Sequence, residues 1–314
     1  MNPENNIVYD TLLTGDLILF SGTNSIVSEL VKFATSSIWS HVGIVVKDPD
    51  FLMNSDAKKG LYLLNSDGNY ETDIECNTTR LGVQLVDLKE KIDHYDGLIV
   101  VRHLLKTNGK HNEEDNKNRN NMFKEAYQTV YEKTYDYSPL HLIVVLLHNY
   151  GYVFADNLIN CRHTDYLFCS ALVAYLYTVT GIMKKNTKWS LTTPDFFSHN
   201  LNELFDFNNN GEYVLSPILI IKNTFDDDWN IVHSIKMIDN KEKNYDIGNH
   251  IITSVKDVEN EKIEEPLTQK DDIIKLTIDL LEDENGEIIT KILLDFIDKP
   301  TKNKSLLSTF CIFL

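Results

Sequence analysis

Basic residues are scarce in this chain: 30 Lys and Arg stand against 47 Asp and Glu, a formal net charge of -17. Such a surface repels phosphate backbones, and no basic stripe with interleaved aromatics offsets it, so nucleic acid is excluded as a partner. Cysteine is scarce too. Cys76, Cys161, Cys169 and Cys311 are too widely spread for the dense disulfide framework of a small secreted scaffold. Long apolar runs are missing: Leu140 to Leu147 is interrupted by His141 and followed by His148, far short of the roughly 20 residues a membrane span needs. The N-terminus also lacks a basic flank followed by an apolar core. These absences together predict reduced thiols in a cytoplasmic compartment.

What is present suffices for a folded core. The chain has 314 residues, 42% of them hydrophobic and 25% charged, an ordinary globular balance. Apolar and β-branched runs predict strands at Leu17 to Phe20, Val42 to Val46, Leu61 to Leu64, Leu98 to Leu104 and Val214 to Ile221. Lys106 to Asn121, Asn-rich and charged, reads as an exposed loop with no chemistry. Helical spacing follows in Phe123, Ala126, Tyr127, Val130 and Tyr131, and again in Leu172, Val173, Leu176 and Val179 before a stop at Gly181. Beyond about Asn223 acidic residues accumulate, and Leu276, Ile278 and Leu280 alternate with polar residues ahead of the hairpin signal Asn285-Gly286. The expectation is an α+β catalytic domain over 1–222 and a small, acidic, β-rich appendage over 223–314.

Two residues carry the chemistry. Cys169 opens the second helix, where unpaired N–H groups and the positive end of the dipole stabilise a thiolate and offer an oxyanion hole. A buried free cysteine is also an ordinary small hydrophobe, so a base must accompany it. His41 opens the run Val42-Gly43-Ile44-Val45-Val46, a regular context that no other histidine of the chain shares, although a histidine at a strand end is often structural.

Thr14-Gly15-Asp16-Leu17-Ile18-Leu19-Phe20 and Ser40-His41-Val42-Gly43-Ile44-Val45 resemble the Gly-Asp and His-Val-Gly-Ile strands of NlpC-type papain-like enzymes, and Cys169-Ser170-Ala171-Leu172-Val173 resembles their nucleophile helix. The cysteine block comes last here, as in the permuted branch that includes YiiX-like proteins, the lecithin-retinol acyltransferase group and orthopoxvirus relatives. Gly82-Val83-Gln84-Leu85, Tyr95, Ile99 to Arg102, Tyr135-Asp136-Tyr137 and Thr193-Pro194-Asp195-Phe196 fit the same pattern, which spans about Asp10 to Ile221. The resemblance implies a circularly permuted papain-like fold, with an antiparallel sheet packed against the nucleophile helix. It also implies a cysteine-dependent hydrolase or acyltransferase that acts on lipid acyl or amide groups through a thioester on Cys169. A cysteine peptidase or amidase, or a silent host-interaction module, uses the same fold.

The family's third position falls at Asn65, where relatives often carry an acid; a neutral amide orients a histidine without supplying charge, and Asp67 is the substitute. Ala171 also replaces an acid. Cys161-Arg162-His163 with Cys169 matches no standard zinc spacing, so no metal or cofactor is expected. The terminal Cys311-Ile312-Phe313-Leu314 reads as a C-a-a-X tetrapeptide, with Lys299, Lys302 and Lys304 upstream. It carries the expectation of peripheral membrane association through Cys311 in a eukaryotic cell or a virus of one; the plain alternative is a terminal strand packed on the appendage.

Overall fold

The computed structural model describes residues 9–22, 32, 37–52, 59–106, 111–136, 144–145, 148, 162–198 and 213–224, together with the backbone of strands within 244–313. In chain order the elements are β1 Leu17–Gly22, β2 His41–Lys47, β3 Leu61–Asp73, β4 Thr78–Asp87, α1 Leu88–His94, β5 Gly97–Arg102, β6 Leu104–Lys106, α2 Glu113–Val130, α3 Cys169–Val179, β7 Tyr213–Leu215 and β8 Leu219–Asn223. Six strands form one sheet in the order β4-β3-β2-β1-β5-β8. Every pairing in it is antiparallel, and β6 and β7 form a separate pair.

This sheet is covered on both faces, which explains why its strands read as unbroken apolar runs and not as alternating ones. Leu17, Leu19, Val42, Ile44, Leu64, Leu85 and Val100 pack with Phe123 of α2 and with Leu172, Val173 and Leu176 of α3. Ile18, Phe20, Val45, Leu63, Ile99 and Val101 turn the other way and meet Leu88 and Ile92 of α1. Truncating a fully buried leucine such as Leu172 costs about 2–5 kcal/mol, because the gap left behind cannot close. The helix that covers the second face, α1, is capped by Asp87, whose Oδ1 accepts the Glu90 N–H at 2.8 Å; its few apolar positions gave no periodic signal.

One sequence expectation fails here. Residues 113–121 are not loop but the first half of α2. The segment lacks an apolar stripe because its inward positions are polar: Asn116 Nδ2 and Asn120 Nδ2 both donate to the Lys47 carbonyl, and Asn116 Oδ1 accepts the Thr14 N–H. Backbone groups of the β1 and β2 ends are thus satisfied by amides that read as solvated. Asn112 closes the helix start by accepting the Asp115 N–H.

The backbone divides into two compact units, Met1–Lys256 and Asp257–Leu314. The sequence sets its boundary at 222/223, but β8 continues to Asn223, Gly97 N donates to Thr224 Oγ1, and the hairpin of β9 Asn244–Ile247 and β10 His250–Thr253 groups with the first unit. The second unit holds an antiparallel sheet of β11 Ile273–Glu282, β12 Ile288–Ile297 and β13 Ser308–Phe313. The Asn285-Gly286 turn falls between β11 and β12 and lies outside the described residues. Cys311 falls within β13, opposite Leu293 of β12.

Candidate functional site

The site begins where two strands part. β2 and β3 pair from Ile44↔Leu64 to Lys47↔Leu61, and the same register would next set Val42 against Ser66 and His41 against Asp67. Other partners replace that pairing. Ser66 Oγ donates to the Leu167 carbonyl at 2.5 Å, and the Val42 N–H faces the Cys169 thiol. Backbone N–H groups alternate sides along an antiparallel strand; the Val45 N–H bonds Asp16 on β1, so that of Val42 points to the β3 side. The thiol therefore stands where the β3 backbone would otherwise pair, beside the residue that follows His41. Gly43 suits this place, since a Cβ there would meet the Leu63 side chain at 2.8 Å.

His41 lies on the α1 side of the sheet with its ring 5.5 Å from that of Phe20, and its side chain is 14% exposed. Its Nε2 is 3.3 Å from Asn65 Nδ2 and 3.9 Å from Asp67 Oδ2. The first is hydrogen-bond range and the second is not. Asn65 is fully buried, and neither its Oδ1 nor Oε1 of Gln84, its register partner on β4, has a hydrogen-bond partner. The two ends of an amide exchange by rotation. With Oδ1 turned to His41, Nε2–H donates to Asn65, Nδ1 keeps its lone pair as a base, and a buried acceptor is satisfied.

Electrostatically the pair rests neutral. Burial pushes the Cys169 thiol up to about 11, with the Asp67 charge adding to it and N–H bonds from Val42 and Ser170 opposing. Burial also pulls His41 down to about 4, against the pull of Asp67 and with the help of Lys91. Cys169 is 5% exposed, so the desolvation of a thiolate works against the stabilisation expected of a helix start. The helix start is still open to a ligand's charge, because α3 has no side-chain cap at Phe168 and its first-turn N–H groups have no intrahelical acceptors. Asp67 behaves oppositely to the pair. Burial alone would raise its carboxyl, but the charges of His41 and Lys91 with bonds from Lys91 and the Asn69 N–H hold it at about 2.

Sequence reasoning missed a second polar cluster. Asp16 Oδ2 meets His103 Nδ1 at 2.7 Å and lies 3.6 Å from His111 Nε2, while Asp16 Oδ1 accepts from Arg119 Nη1 at 3.1 Å. All four side chains are buried. Three of them, Asp16, His103 and His111, offer atoms within 4.8 Å of one another, as metal ligands do. Arg119 argues against a cation there: it donates to His111 Nδ1, which leaves the proton on Nε2 facing the Thr11 carbonyl at 2.8 Å, so that nitrogen has no lone pair to give. The Gly15-Asp16 motif was the one available signal; His111 and Arg119 lay in the segment taken for loop. Of the zinc-like cluster, Cys161 lies outside the described residues, and His163 Nε2 stands 3.8 Å from Asp136 Oδ2.

The remaining family-like pieces brace the helix start. Ser170 Oγ donates to the Thr192 carbonyl, Asp195 accepts from Ser37 Oγ, and the buried Arg102 binds the carbonyls of Ser216 and Phe197. Gly82, at a φ of 99°, lets the backbone of Lys133 to Tyr135 pass where a Cβ would clash. Among the described residues no helix is long and apolar enough to cross a membrane.

No protein-family model matches the chain, and no curated protein matches it. Among solved structures, the crystal structure of metalloprotein yiiX from Escherichia coli O157:H7 is similar to it at 19% sequence identity, covering 69% of this chain and 99% of that one with a TM-score of 0.35. The chain has a mixed α+β architecture built on an antiparallel sheet.

Proposed function

We propose that the chain is a cysteine-dependent acyl-transfer enzyme in which Cys169 forms a thioester, His41 moves the proton and Asn65 orients the imidazole. The observation that carries this reading is an uncapped helix start that sets a thiol where β2 and β3 part, facing the N–H of the residue after His41. The thiol proton passes to the His41 imidazole as sulfur bonds the acyl carbon and the carbonyl pair moves onto oxygen, where N–H groups of the α3 first turn receive it. Collapse restores the carbonyl, and the leaving amine or alcohol departs with the proton from His41. Water or an acceptor then reverses the sequence, with His41 as base. Hydrolase and transferase share these steps, and lipid acyl groups and amides are both substrates of this chemistry.

The neutral resting pair favours a second reading, a silent binding module that keeps the fold. An acyl-like electrophile separates the two. A β-lactone or acyloxymethyl ketone probe labels Cys169 far faster than the exposed Cys76 if the pair is competent, and the labelling falls away in His41→Gln. Labelling of Cys169 no faster than Cys76 overturns the enzyme.

A further inference from the structure

The groups with charge or titratable protons around His41 come from three elements besides its own: Asp67 and Glu71 of β3, Lys91 of α1 with Tyr95 just beyond it, and Cys169 at the start of α3. Asp67 is fully engaged elsewhere. Its Oδ1 accepts both the backbone N–H and the side-chain Nδ2 of Asn69 at 3.0 Å, and its Oδ2 accepts from Lys91 Nζ at 2.9 Å. Lys91 Nζ is itself held by Glu71 Oε1 at 2.5 Å, and both Lys91 and Asp67 are 10% exposed at the side chain. The nearest acid to the imidazole among the described residues is therefore tied to a cation and a turn, and it stands 3.9 Å from Nε2 while the Asn65 amide stands at 3.3 Å.

We propose that Lys91 is a positioning residue of this site: by holding the Asp67 carboxylate off His41 it leaves Asn65 as the hydrogen-bond partner of Nε2 and keeps the resting imidazole neutral. This inference rests on the reading of Cys169 and His41 given above. A carboxylate bonded directly to Nε2–H would stabilise imidazolium and with it a preformed thiolate. Clamped by Lys91 it does not, so the site forms its thiolate only as the acyl carbon arrives. The difference has a chemical use, because a preformed thiolate is open to oxidants and stray electrophiles at all times, whereas a neutral thiol is not.

The test is the titration of the His41 ring, followed by NMR in the full chain carrying Cys169→Ala, with His41→Gln identifying the signal. Lys91→Met raises the His41 pKa by about one unit or more, since it removes a nearby positive charge and frees a negative one. Lys91→Arg leaves it where it is, and Lys91→Met with Asp67→Asn returns it to the starting value. Lys91→Met strands two buried carboxylates; should that variant not fold, Lys91→Met with Glu71→Gln keeps Asp67 charged and shows the same rise. An unchanged His41 titration in whichever of these folds overturns the proposal. The readout needs no activity: a rise in His41 with Cys169 no more reactive than Cys76 in the otherwise native chain would remove the enzyme and leave the clamp standing. Where both hold, iodoacetamide labels Cys169 in the Lys91→Met chain at a rate set by the new, more acidic limb of its pH profile.

Discussion

Two buried clusters of this molecule are made of the same parts, histidine, aspartate and a cation, and are wired differently. Around Asp16 each carboxylate oxygen has a close partner, His103 at 2.7 Å on one and Arg119 at 3.1 Å on the other. Arg119 also reaches Asp115, the Thr14 carbonyl and the Leu104 carbonyl. That cluster ties α2 to the start of β1 and to β6, and its bonds stay where they are. Around His41 the contacts to the imidazole are longer, an amide at 3.3 Å and an acid at 3.9 Å. A group that must accept and release a proton cannot also be locked to a fixed charge. The loosely held histidine opens β2, and the tightly held ones join α2 to the start of β1 through Asp16 and Arg119.

Breaking the comparison at its rigid end gives the largest effect. Asp16→Asn removes one of the two carboxylates that pair the buried Arg119, with Asp115 left as the other, and a urea titration should show a loss of about 3 kcal/mol. At the other end, His41→Gln should leave the urea midpoint nearly unchanged but slow probe labelling of Cys169 by about 10²–10⁴-fold. If Asp16→Asn were the milder change in stability, the assignment of roles would be reversed.

The acid limbs sharpen the contrast further. Burial holds the folded His41 pKa at about 4, below the ordinary value of about 6.5, so the unfolded chain binds the proton first. Stability therefore falls as pH drops from about 6.5 to about 4, by on the order of 2–3 kcal/mol, and His41→Gln should remove that limb. Asp16, where burial alone would raise the pKa, is instead held at about 2 by His111, His103 and Arg119. Its contribution is whole above about pH 4 and is lost as pH falls toward 2. Denaturant melts across pH for the two proteins should differ only in the upper window.

Smaller again is the orienting group. Asn65→Ala should cost labelling no more than about 10²-fold, less than His41→Gln, because it aligns the imidazole without replacing it. A greater loss with Asp67→Asn than with Asn65→Ala would hand the orienting role to Asp67. The smallest change is a control outside both clusters: Glu113 is 73% exposed at its side chain where it meets Lys47, and Glu113→Gln should shift stability by less than about 1 kcal/mol.

Strands could be read from the sequence wherever apolar side chains persist on both faces, as in β1, β2 and β5. The same rule hid β4, whose first half carries Thr78, Thr79 and Arg80, and the first half of α2, whose buried side chains are amides and an arginine. Amphipathic periodicity detects apolar burial, not burial satisfied by hydrogen bonds. Of the site, Cys169 and His41 stood out because each opens a regular element, and Asn65 and Asp67 because they follow the strand next in line. Lys91 gave no signal, since it looks like any surface lysine on a short helix.

Local chain chemistry was enough to determine that a helix starts at Cys169 and a strand at His41, because turn residues, apolar runs and β-branching act over a few positions. Only the tertiary structure decided that β2 and β3 part at Val42, so that the thiol faces that N–H, and that α1 lays Lys91 across Asp67 and Glu71. It also decided the burial of the sulfur, since the dipole of α3 is a local property but the desolvation that pushes the thiol up comes from everything packed around it.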